Sequence, residues 1–232
     1  MDHKRLTLFA GHYGSGKTNI AVNYALALAK AGKKTCIADL DIVNPYFRTK
    51  DSAAVLEAAG VELISPQYAN TNVDLPALPA ESYRLVRDRS TYGIMDIGGD
   101  DRGAYALGRF TPFILEENDY RMAFVANCYR PLTRTAEEAL EVMREIEAAC
   151  GIGFTCIVNN SNLGPETTAQ TVLDSVEFIQ KLSDLSGLPV WLHTAAEAVA
   201  AQLPISPVLP LQLQEKYFDL PSQKLGNRPL WA

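Results

Sequence analysis

Gly11-His12-Tyr13-Gly14-Ser15-Gly16-Lys17-Thr18 lies between an apolar run, Leu6–Ala10, and a stretch of helical periodicity that begins at residue 17. The octapeptide matches G-x-x-x-x-G-K-[ST] in the strand–loop–helix setting that gives this pattern its meaning. Glycines let the backbone curl until successive N–H groups face one anion, and the start of a helix adds positive potential at the same place. Lys17 is then placed to reach terminal phosphates, and the Thr18 hydroxyl to ligate Mg2+. Asn19 continues the first helical turn and is counted with the loop. Lys17 and Thr18 contact phosphates and cannot tell one base from another.

Outward from this unit the chain alternates short β-branched runs with longer helical stretches. Strand-like segments are 6–10, 34–40, 61–65, 92–97, 121–126, 154–159 and 189–193. Several are apolar throughout, as strands covered on both faces of a parallel sheet must be. The spacing predicts helices near 17–31, 51–59, 77–89, 135–150, 166–186 and 194–201. Thr135-Ala-Glu-Glu138 reads as a capping box, and Gly151 as the stop of the same helix. The fold class is therefore α/β, a doubly wound, mostly parallel sheet flanked by helices. Residues 1–203 read as one nucleotide-binding domain. Five of the 13 prolines fall in 204–232, so that stretch reads as a Pro-rich tail packed on the domain or extending from it.

With 21 basic and 27 acidic residues among 232, the net charge is −6. Nucleic-acid partners need clustered Lys and Arg, so the acidic balance speaks against them. No apolar stretch reaches the roughly 18 residues of a membrane span, and Leu6–Ala10 is too short for a secretory core. Stable membrane insertion is not expected, and the expected location is cytoplasmic. Cys36, Cys128, Cys150 and Cys156 form no C-x-x-C pair and read as buried free thiols of a reducing compartment.

Acidic residues end the strands on either side of the glycine loop. Asp39 and Asp41 close the second strand, and Asp96 lies in Ile94-Met-Asp-Ile-Gly-Gly99 at the end of the fourth. Carboxyl ends of parallel strands line the ligand crevice of open α/β sheets. Asp96 reads as the carboxylate holding the Mg2+ shell, and Gly99 as the backbone N–H that meets a γ-phosphate. Aspartates in strand-end turns are the bland alternative.

Gly11–Thr18, Asp39-Leu-Asp41-Ile-Val-Asn-Pro45 and Asp96–Gly99 together resemble the MinD/ParA/Mrp type (SIMIBI class) of P-loop ATPases, with the nitrogenase iron protein and dethiobiotin synthetase as more distant relatives. The likeness covers roughly residues 5–200 and implies the P-loop NTPase fold, with ATP and Mg2+ as cofactors. It implies that Asp39 assists the metal, that Asp41 orients the attacking water, and that Gly98–Gly103 is a second switch. A nucleotide-dependent homodimer and a protein partner or cargo are implied as well. The loop departs from the family's Lys-Gly-Gly-x-Gly-Lys-[Ser/Thr], since His12 and Tyr13 stand where its first lysine and glycine would be. Arg48 and Arg102 are candidates for the missing positive charge, with ordinary surface arginines as the alternative.

Asn159-Asn-Ser-Asn162 stands where a GTPase would carry Asn-Lys-x-Asp. An asparagine at 162 lacks the ionic acceptor that guanine selection uses, so ATP is expected over GTP. Asn159 or Asn160 could read the adenine edge. Two function classes follow. One is a slow Mg-ATP hydrolase acting as a switch for a protein partner, with Tyr46 and Phe47 as a contact surface. The other is an ATP-dependent small-molecule ligase or kinase of the dethiobiotin-synthetase kind, which would show a second basic cluster converging on Lys17. Arg84, Arg87 and Arg89 form the dense group and read as a helix surface. A metallocentre accessory role would need a paired cysteine motif.

Overall fold

Residues 3–40, 49–64, 80–99 and 101–213 are described by the computed structural model. Period-two alternation dictates its centre. In β1 (Leu6–Ala10) all five residues are buried, with Leu6, Leu8 and Ala10 in one apolar layer and Phe9 in the other. β5 (Tyr120–Ala126) divides the same way, Met122 and Phe124 against Ala123 and Val125. Residues placed on both sides of a strand demand cover on both sides. That cover comes from α1 (Lys17–Lys30) on one face and α6 (Ala136–Cys150) on the other.

The remaining strands are β2 (Thr35–Leu40), β3 (Glu62–Ile64), β4 (Tyr92–Ile97), β6 (Cys156–Asn159), β7 (Val190–Ala196) and β8 (Val208–Leu211). They form one sheet in the order β3-β2-β4-β1-β5-β6-β7-β8, and every pairing is parallel. β1 sits centrally, so the loop that follows it opens on the carboxyl edge of the sheet, flanked by the ends of β4 and β5.

The capping box at the start of α6 is formed. Thr135 Oγ1 accepts from the Glu138 N–H at 3.2 Å, and the Glu138 carboxylate accepts from the Thr135 N–H at 3.0 Å; such a cap contributes about 1 kcal/mol. Gly151 ends the helix with φ 69°. The helix expected over 166–186 is broken into α7 (Ala169–Asp174) and α8 (Val176–Ser186). Ser175 causes the break: its hydroxyl donates back to Val172 O at 2.6 Å and accepts from Asn159 Nδ2 at 2.9 Å. The stretch expected to be helical over 77–89 is, in its described part, a 3-10 turn Ala80–Tyr83 followed by the single turn α3 (Arg84–Arg87). After β2, the 3-10 turn Thr49–Ser52 leads into α2 (Ala53–Ala58).

Other differences lie in the second half of the chain. α4 (Asp101–Gly108) and α5 (Thr111–Glu117) stand where no helix is predicted; glycines and Pro112 mask their periodicity. β7 continues to Ala196, so the helix expected from 194 shrinks to α9 (Glu197–Ala200). β8 extends the sheet past the boundary drawn at residue 203. Leu209 and Leu211 face the core while Pro210 is exposed on this outermost strand, the position where a residue without an N–H is tolerated. The α1 residue Asn23 ties down the exit from β8, donating to Gln212 O at 3.0 Å and accepting from the Gln212 N–H at 2.8 Å. The tail from 214 onward lies outside the described residues.

At the opposite edge of the sheet, β1 begins beside a buried ion pair. Arg5 is 6% exposed and pairs through its guanidinium with Glu117 of α5. It also donates to Leu85 O at 2.8 Å and Thr91 O at 3.1 Å. Among the described residues no helix is long and apolar enough to cross a membrane.

Candidate functional site

The glycine loop turns on Gly16, the N-cap of α1, which has φ 89° and ψ 20°. A Cβ there would run into the Asn160 amide, so both conformation and space require glycine. Ser15 N–H donates to His12 O at 3.1 Å, and the first α1 hydrogen bond runs from Ile20 N–H to Gly16 O at 3.2 Å. No acidic residue lies in the first turn of α1, which leaves the positive end of the helix for an external anion. Lys17 is buried, and its ammonium donates to His12 O at 3.2 Å. Thr18 is buried beside it, and Asn19 is half-buried. The Ser15 hydroxyl is buried without a hydrogen-bond partner among the described residues. His12 Nδ1 bonds the Tyr13 carbonyl at 2.9 Å, and the Tyr13 ring is 54% exposed. Gly11 and Gly14, both at positive φ, complete the curl.

Parallel register brings the carboxylates to this loop. Asp39 of β2 is the direct partner of Asp96 of β4, and Asp96 is level with Phe9 in β1. Both aspartates are buried. Thr49 Oγ1 donates to Asp96 Oδ2 at 3.1 Å, which ties the entry to α2 to the end of β4. Beyond β4 the chain folds onto the loop itself. A Cβ at Gly99 would stand 2.7 Å from Tyr13 N and 2.9 Å from both Tyr13 Cα and Lys17 Nζ, so only a glycine allows this approach. Gly99 thus lies beside Lys17 at the mouth of the glycine loop. Among the described residues no group of three or more His, Cys, Asp or Glu is gathered as a metal cage. Asp39 and Asp96, neighbours in the sheet, offer hard carboxylate oxygens of the kind Mg2+ takes.

On the other flank, the loops after β5 and β6 lock against the glycine loop. Asn160 Nδ2 donates to Ser15 O at 2.6 Å, and Asn160 Oδ1 accepts from Thr194 Oγ1 at 2.7 Å. Asn159 Nδ2 reaches Ser175 Oγ at 2.9 Å and His193 Nδ1 at 3.2 Å, while its Oδ1 accepts from the Ser161 N–H at 3.1 Å. Burial lowers the pKa of His193, keeping the ring neutral so that Nδ1 can accept. Both asparagine amides are thereby committed to internal partners. Asn162 is likewise engaged, donating to Asn160 O at 2.7 Å and accepting from the Gly164 N–H at 3.2 Å.

Arg130 is a site residue that sequence patterns do not single out. Its Nε and Cδ stand 3.8 and 3.9 Å from the Cβ position of Gly14. The available signal is only its place, four residues after β5 and before Pro131. Asp41, Tyr46, Phe47 and Arg48 lie outside the described residues, as does the Arg102 side chain. Arg84 and Arg87 precede β4 at the far edge of the sheet. Arg84 pairs with Glu62 at 2.6 Å and Arg87 lies over the Tyr83 ring, so these two do not converge on Lys17. All four cysteines are free, and burial pushes the Cys36 and Cys156 thiols up to about 12.

No protein-family model and no curated protein matches the chain. Solved structures similar to it include the cell division protein FtsY of Thermotoga maritima, with TM-score 0.57 at 15% identity over 83% of this chain and 62% of that one. FtsY of Mycoplasma mycoides gives 0.56 at 16% identity over 82% and 60%. The signal recognition particle 54 kDa protein of Aeropyrum pernix K1, solved in complex with GDP, gives 0.52 at 16% identity over 82% and 41%. The chain thus spans 62% or less of the length of these structures. The likeness is one of fold, and with the central β1, its glycine loop and the parallel strand order it makes this a P-loop NTPase α/β fold.

Proposed function

We propose that the protein is a Mg-ATP-binding P-loop hydrolase whose nucleotide state is read by a protein partner or cargo. The observation that carries this reading is the seat of Gly99 against Tyr13 and 2.9 Å, at its Cβ position, from Lys17 Nζ. A segment following the metal-side strand rests on the lysine that would hold a terminal phosphate. Presence or loss of that phosphate would therefore bias the segment between two positions, which is how such switches work. Lys17 neutralises charge on the terminal phosphates, and the loop N–H groups of residues 14–18 orient them. Thr18, Asp39 and Asp96 would hold Mg2+, which would supply charge neutralisation for the phosphates. Asp41 orients the attacking water, so that the chemistry is positioning plus electrostatics.

ATP is the proposed nucleotide because Asn162, where guanine selection would need a carboxylate, uses both ends of its amide within the chain. The similar structure solved with GDP leaves GTP as the competitor. We assign Asn160 to holding the loop and Asn159 to joining β6 to β7 and α8. A nucleotide-dependent homodimer remains part of the proposal, tested by light scattering with and without Mg-ATP.

Equilibrium titration is expected to give saturable binding of both Mg-nucleotides, with ATP about tenfold tighter than GTP, the worth of one charge-assisted acceptor. Absence of saturable binding overturns the function, and a preference for GTP overturns the base assignment. Asp41→Asn is expected to retain ATP affinity and slow hydrolysis at least about tenfold. Unchanged turnover in that variant reduces Asp41 to a turn residue.

A further inference from the structure

Arg130 sits against the phosphate loop on a rigid mount. Arg130 N–H donates to Asn127 O at 3.2 Å, and the Thr133 N–H returns to Arg130 O at 3.3 Å. Thr133 Oγ1 closes the turn on Asn127 O at 2.8 Å. Asn127 Oδ1 accepts from Tyr129 N–H at 3.0 Å and from Asn162 N–H at 3.3 Å. Tyr129 Oη donates to Thr171 O at 2.8 Å, pinning the turn to α7. Leu132 takes φ 65° within the same turn, a conformation a leucine holds only where its surroundings impose it.

The turn delivers a cation to a place that is already positive. Arg130 Nε is buried and has no hydrogen-bond partner among the described residues. The guanidinium takes part in none of the ion pairs formed among them. Beside it runs the glycine loop at Gly14, which leads into the start of α1, with no acid in its first turn. A guanidinium held against the loop that opens a helix N-terminus is opposed by the positive potential there unless an anion lies between them. A phosphate chain on the loop is that anion, and a guanidinium is the group best shaped to grip it.

We infer that Arg130 is a phosphate-binding residue of this chain's own site, supplying from the β5 side the positive charge that His12 and Tyr13 do not. This rests on the nucleotide-binding reading above. It makes the site cationic on both flanks, Lys17 facing β4 and Arg130 facing β5, within one protomer.

Calorimetric titration of Arg130→Ala, Arg130→Lys and the unmodified protein with Mg-ATP and Mg-ADP tests it. Arg130→Ala is expected to weaken both nucleotides about tenfold or more, and Arg130→Lys to recover part of the loss. The thermal midpoint of the nucleotide-free Arg130→Ala protein is expected to stay within about 2 °C of the unmodified chain, since no partner is lost. Unchanged affinity in Arg130→Ala overturns the inference while leaving the nucleotide site intact. Equal weakening in both variants together with a lowered midpoint overturns it in favour of a loop-packing role. An unmodified protein that binds neither nucleotide overturns the site and the inference together.

Discussion

Lys17→Ala is expected to remove tight nucleotide binding, raising the dissociation constant for Mg-ATP at least about 100-fold, because the proposed site loses the ammonium that would hold the terminal phosphates. The same change should leave the nucleotide-free fold unharmed. Lys17 is buried at the first position of α1, and a cation at the positive end of a helix opposes folding. Removing it relieves that repulsion but gives up the hydrogen bond to His12 O at 3.2 Å, two effects of opposite sign. Denaturant midpoint and nucleotide affinity therefore move independently, the midpoint nearly steady and the affinity sharply down. Affinity near that of the unmodified protein would remove the phosphate-site assignment altogether.

The largest stability effect is expected at the other edge of the sheet. Arg5→Ala leaves the Glu117 carboxylate, whose side chain is 7% exposed, without its cation. The change also strips donors from the carbonyls of Leu85 and Thr91. Breaking a buried pair from one side costs about 3–5 kcal/mol, enough to threaten a fold of ordinary stability. The paired change Arg5→Met with Glu117→Leu is expected to recover most of that loss, since desolvating two charges takes back much of what their attraction gives. Urea unfolding of the single and double variants reads both values. A single variant as stable as the parent would mean that water already reaches the pair.

The glycine loop and the acids at the strand ends were legible in the sequence, and the contacts that loops make across space were not. Gly11–Thr18 announces itself because backbone curl, helix start and lysine must lie within eight residues. Asp39 and Asp96 could be found because a parallel sheet delivers strand ends to one edge. β1 and β4 fall where their apolar runs predict, since cover on both faces keeps them mostly apolar. β8 was hidden by Pro210, whose exposure on an edge strand turns Leu209-Pro210-Leu211 into the alternation of a strand. The break at Ser175 depends on a hydroxyl contact with Asn159, sixteen residues away. Arg130 belongs to no motif, and only the approach of its turn to Gly14 gives it a place. Asn159 and Asn160 were legible as polar residues beside the site; their partners on α8, β7 and the glycine loop were not.

The Asn160 bridge between Ser15 and Thr194 has a consequence for how the protein is made. β1 pairs with β4 and β5, strands that begin at residues 92 and 120, and the amide that anchors the glycine loop is itself held from residue 194. The glycine loop is thus synthesised well before the residues that give it its shape. Pairing across such separations is slow, and domains of this size fold as units. A nascent chain that has not yet released β7 has the lysine and the glycines but lacks the hydroxyl that holds their anchoring amide. The anchored form of the glycine loop should therefore arrive only once β7 has emerged, in one step with closure of the distal half of the sheet.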